Sequence, residues 1–87
     1  MSMKNDGKAG RGSMPLSMTT EGDSVTIVRL TGTDEVRQHL SEIGFVVGDR
    51  VTVISNSSGN MILQVKEGRI ALDRKMANRI QVGLSAE

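Results

Sequence analysis

Glu35, His39 and Glu42 stand at i, i+4 and i+7, which puts all three on one stripe if the segment is helical. One imidazole and two carboxylates are donors that a divalent cation such as Fe2+ accepts. The same spacing describes a solvated helix face with an i,i+4 Glu–His contact, and that is the expected reading. His39 is the only histidine, and a dedicated carrier would gather ligands from several elements. No cofactor is expected, and Fe2+ on this stripe would be held weakly.

Other chemistry falls away on inspection. The chain has no cysteine, which excludes disulfides, thiolate zinc sites, iron–sulfur clusters and cysteine nucleophiles together. Of six methionines, Met1, Met3 and Met14 lie in or at the edge of the polar N-terminal segment and Met18, Met61 and Met76 are scattered without close spacing; thioethers favour cuprous over ferrous ions, so they read as packing or adaptable contact residues. Serines are frequent, but nothing places one beside His39 with an acidic orienting group. Gly7-Lys8-Ala9-Gly10-Arg11-Gly12 imitates a phosphate loop but lacks the Gly-Lys-Ser/Thr ending and precedes no helix. No enzyme activity is expected.

Contact chemistry remains. Phe45, Val46 and Val47 are consecutive, and three neighbouring side chains cannot all face inward. With Leu40 and Phe45 assigned to the core, Val46 and Val47 are expected at the surface. Met61 is expected nearby if its loop folds back, making an apolar docking patch. A basic group, Arg69, Arg74, Lys75 and Arg79, reads as a solvated face that could also meet an acidic surface.

These residues must be positioned by short elements. Val36, Leu40 and Ile43 share one helical face, Thr33 can cap its start, and Asp34 and Glu35 suit the positive end of its dipole. Gly44 can end the helix in a left-handed conformation, returning Phe45 onto Leu40. Strands are expected at 24–30, 50–55, 61–66, 69–72 and 80–82, from β-branched runs and alternation bounded by glycine and asparagine. Asp73 can cap a single helical turn at 74–78. Five strands in so short a span would leave two bare edges in a flat sheet. The expected fold is therefore all-β, mainly β with one short α-helix: a small, closed, SH3-like five-stranded barrel. An OB-fold is the rival, but it carries its helix later in the strand order.

The chain has 87 residues, sufficient for one domain. Residues 1–13 are polar and glycine-rich and are expected to be a flexible tail, with the domain at 14–84 and a frayed end at 85–87. Lys4, Lys8 and Arg11 fall in the tail against Asp6, so the remainder is nearly neutral within a total of +1. With Phe45 the only aromatic residue, neither a nucleic-acid interface nor a groove for proline-rich peptides is expected. No apolar run approaches the length of a membrane span or a signal core, so a cytoplasmic protein without direct membrane insertion is expected.

Taken in order, these pieces resemble the ferrous iron transport protein A (FeoA) family across 14–82. The resemblance rests on Leu40-Ser41-Glu42-Ile43-Gly44-Phe45-Val46-Val47-Gly48, on Ile70-Ala71-Leu72, and on Met76-Ala77-Asn78-Arg79-Ile80-Gln81-Val82. Leu40, Gly44, Phe45, Gly48, Ala71, Leu72 and Ala77 carry its signature. Val47 stands where the family often has proline, Asn60-Met61 where proline often follows the loop glycine, and Asp73 where a basic or small residue is common. The resemblance implies an accessory role in bacterial ferrous iron uptake. It also implies a partner, the membrane GTPase-permease (FeoB-like) of the same system, met from the cytoplasm.

Overall fold

The computed structural model describes residues 13–57, 59–66 and 68–84. The glycine-rich segment at 7–12 and the expected tail and frayed end at 1–12 and 85–87 lie outside the described residues. The described residues form six strands: β1 (Ser13–Pro15), β2 (Ser24–Leu30), β3 (Arg50–Asn56), β4 (Asn60–Val65), β5 (Gly68–Asp73) and β6 (Ile80–Leu84). They form one antiparallel sheet in the order β1-β6-β2-β3-β4-β5. A 3-10 turn (Leu16–Met18), helix α1 (Asp34–Ile43) and a one-turn helix α2 (Arg74–Ala77) complete the chain.

The mainly β, SH3-like class stands, with two corrections. The described residues form six strands, not five, and the sheet is an open roll, not a closed barrel, with β1 and β5 at its edges. The added strand is short and contains Pro15, whose missing N–H confines it to an edge. It gave no alternating signal. Ser13, assigned to the tail, is its first residue and pairs with Gly83. In place of closure, α1 sinks Leu40 into the core, and the 3-10 turn adds Leu16, both fully buried.

Each boundary of α1 has its cause in a named residue. Thr33 Oγ1 accepts the Val36 N–H at 3.2 Å, and Asp34 pairs with Arg37 in the first turn. At the other end Gly44 has φ 123°, a conformation that L side chains rarely adopt. Its N–H reaches Ser41 O at 3.1 Å and the Phe45 N–H reaches Leu40 O at 2.9 Å, the paired bonds of a Schellman ending. Phe45 is thereby returned to the core beside Leu40, fully buried.

Strand alternation supplies the rest of the core. Val25 and Ile27 of β2, Val51 and Val53 of β3, Leu63 of β4 and Val82 of β6 face inward. Bulges interrupt two ladders, between Ile27 and Arg29 and between Val53 and Ser55. Val28, next after buried Ile27, faces solvent by the alternation of β2 and is 46% exposed.

A polar clamp ties distant segments together. Asn56 Nδ2 donates to Thr19 O at 2.7 Å and Ser17 O at 3.3 Å. Arg74 donates to Asn56 Oδ1 and, at 3.1 Å, to Ser17 O, while Ser17 Oγ donates to Asn78 Oδ1. These bonds fasten the 3-10 turn and α2 to the end of β3.

Candidate docking site

The turn after α1 is built by glycine. Asp49 N–H donates to Val46 O at 3.0 Å with Gly48 at φ 98°, which defines a type II turn with Val47 at its second position. The turn is anchored to β2 by Gly48 N–H to Ile27 O at 2.8 Å and Ile27 N–H to Asp49 O at 2.9 Å. Backbone bonds therefore hold its apolar side chains outward: Val46 is 45% and Val47 55% exposed.

Beside this turn lies a cleft of about 400 Å³ between the end of α1 and the β4–β5 hairpin. Ile43, Gly44, Val65 and Ile70 give it apolar walls, and Lys66 and Gly68 complete its rim. Gly44 is required here twice over, since a Cβ on it would lie 3.2 Å from Ile70 Cδ1. Lys66, with φ 47° in the hairpin connection, reaches across to Asp49, Nζ to Oδ2 at 3.4 Å. That pair links the cleft rim to the turn that carries the two exposed valines.

Met61, expected in this patch, does not belong to it. It is fully buried, paired in register with Leu72 and lying on the core face with Leu63 and Val65. The alternation of β4 dictates this, because period 2 places all three residues on one face. Of the signature residues, Leu40, Phe45, Leu72 and Ala77 are buried, Gly44 and Gly48 make the turns, and Ala71 lies exposed on β5.

Glu35, His39 and Glu42 are all exposed on α1. Glu42 Oε2 accepts from Gln38 Nε2 at 3.2 Å. Among the described residues no three His, Asp or Glu side chains are grouped to hold a metal, so these three share a stripe without assembling a donor set. The basic group divides. Arg74 is committed to the clamp, Arg69 sits on exposed β5, and Lys75 and Arg79 border a second cleft of about 430 Å³ with Val36, Met76 and Asn78. No described helix is long and apolar enough to cross a membrane.

The chain folds as a short, open, SH3-like roll with two exposed valines on the turn that follows its helix. Residues 14–84 match the model of the FeoA domain family, and the chain belongs to that family. It is 31% identical over 68 residues to "Putative Fe(2+) transport protein A" of Methanocaldococcus jannaschii, covering 78% of this chain and 83% of that one. The crystal structure of an iron uptake regulatory protein (FeoA) superposes with a TM-score of 0.77 at 28% identity, covering 82% of this chain and 96% of that one. A manganese-dependent transcriptional repressor shares the fold alone, with a TM-score of 0.78 at 18% identity over 84% of this chain and 42% of the repressor. The family is associated with Fe(2+) transport and is not a known family of enzymes.

Proposed function

We propose that this protein is an accessory and regulatory component of ferrous iron uptake that acts by binding the membrane GTPase-permease of the same system from the cytoplasmic side. The observation that carries this reading is the apolar region at one end of the roll. Val46 and Val47 stand out on a glycine-built turn beside the Ile43–Ile70 cleft. Exposed apolar side chains on a nearly neutral domain lose water on association, and a cleft beside them gives a partner side chain somewhere to anchor. The turn is held by backbone bonds, so binding would not require the protein to order a loop first. Membership of a transport family supports a transporter as the partner.

The test is binding of the full chain to the intact transporter in detergent or nanodiscs, with Val46→Asp and Val47→Asp as variants. Each is expected to weaken binding at least tenfold, because an aspartate would be desolvated at the contact. Melting temperatures should stay close to that of the parent, since both positions are exposed. Unchanged affinity in both variants would remove this surface from the account.

A further inference from the structure

The two open edges of the sheet are not alike. β1 is three residues long and includes Pro15, whereas β5 runs six residues in unbroken register with β4, without proline or bulge. A strand of that kind offers its backbone to another chain unless something blunts it. Val65 and Gly68 face each other across the two-residue hairpin connection, so they form its closing hydrogen-bonded pair. Alternation then directs the backbone groups of Ile70 and Leu72 toward β4 and those of Arg69 and Ala71, with the N–H of Asp73, to the open side. Among the described residues β5 has no second strand neighbour there.

The side chains on this edge are complementary to themselves. Arg69, Ala71 and Asp73 are all exposed and lie on one face. Arg69 Nε donates only to the neutral Gln64, at 3.4 Å, and Asp73 Oδ1 accepts the Met76 N–H at 2.8 Å as a helix cap. Neither belongs to an ion pair among the described residues. Two β5 strands laid antiparallel with Ala71 on the axis set each Arg69 opposite the other copy's Asp73, which is favourable cross-strand pairing. Ile62, 36% exposed, stands opposite Ala71 in register. The same pairing therefore runs one apolar row from Ile62 through both alanines to the second Ile62. On the inner face, half-buried Ile70 meets Leu72 of the second copy.

We propose that a second copy of this chain pairs with the open edge of β5, antiparallel and about a two-fold axis at Ala71, as an isologous dimer. This edge shares Ile70 with the cleft assigned above to the transporter, but Arg69, Ala71 and Asp73 line neither the cleft nor the turn, so variants at those three positions let either reading fail without the other.

Sedimentation of the full chain over a wide concentration range reads the self-association. Arg69→Glu and Asp73→Lys each create two like-charge pairs across the axis and should weaken the dimer on the order of tenfold or more. An equimolar mixture of the two variants should restore it, because the reversed charges face each other in the heterodimer. Ala71→Cys provides the chain's only thiol. It should oxidise to a covalent dimer, since an antiparallel hydrogen-bonded pair holds its Cα atoms about 5.5 Å apart, within disulfide reach. Lys75→Cys, away from the axis, should not. Should Asp73→Lys fail to fold through loss of its cap, Arg69→Glu and the cysteine cross-link decide the matter. A monomer at every concentration, a dimer indifferent to Arg69→Glu, or charge-reversed variants that fold but do not recover on mixing would overturn the proposal.

Discussion

Replacing Gly44 with alanine tests the joint on which the core and the cleft both depend. At φ 123° the backbone is outside the conformations an alanine adopts easily, and holding it there costs about 1–3 kcal/mol. The new Cβ would also sit 3.2 Å from Ile70 Cδ1, a tight contact with the free end of a side chain, worth a further ~0.5 kcal/mol. The expected loss is about 1.5–3.5 kcal/mol, read as a lower urea midpoint at unchanged slope. Ile70→Val removes the crowding carbon and, at a half-buried site, should itself cost about 0.5–1 kcal/mol. In the double variant the steric part is relieved, giving a coupling of about 0.5 kcal/mol, while the backbone part persists. Full recovery in the double variant, or a Gly44→Ala loss below about 0.5 kcal/mol, would refute the argument that Gly44 is held by its backbone angle.

Other perturbations have definite signs. Val47→Pro should stabilise by about 0.4–1 kcal/mol, because Val47 is the second residue of a type II turn where the fixed φ of proline fits; a lower melting temperature would contradict that turn. Met61→Ala should cost about 2–5 kcal/mol in chemical denaturation as a fully buried side chain is removed, and a near-neutral change would return Met61 to the surface. Asp73→Ala should cost about 1 kcal/mol through loss of the bond to the Met76 N–H, again by denaturation midpoint. Titration with Fe2+ or Zn2+ followed by amide NMR should leave Glu35, His39 and Glu42 unshifted at stoichiometric metal, and a saturable shift centred on His39 would establish the site that the static arrangement does not assemble.

Much of the fold was legible because its signals are local. Thr33, Gly44 and Asp73 act through bonds to residues no more than four positions away, and the caps and the helix ending occur where residue type and spacing put them. What the sequence withheld depends on distant partners. β1 has three residues and a proline, so nothing in its own pattern announces a strand until β6 is beside it. The clamp joins Ser17 to Asn78, 61 positions apart, and no periodicity connects them. The cleft exists only because Ile43 and Ile70 come to face each other across the opening of the roll. Met61 is a different case. Its burial was readable from the alternation with Leu63 and Val65, and placing it in a surface patch gave a loop's composition more weight than a strand's period.

The 46–49 turn and its adjoining cleft are proposed above as the surface that meets the transporter. Amide spectra of the labelled full chain, recorded as unlabelled intact transporter is added, read this residue by residue. Signal loss is expected to be confined to Ile43 through Asp49 and to the cleft wall at Val65, Lys66, Gly68 and Ile70. Loss centred on the Glu35, His39 and Glu42 face of α1, or no change at saturating transporter, would contradict it.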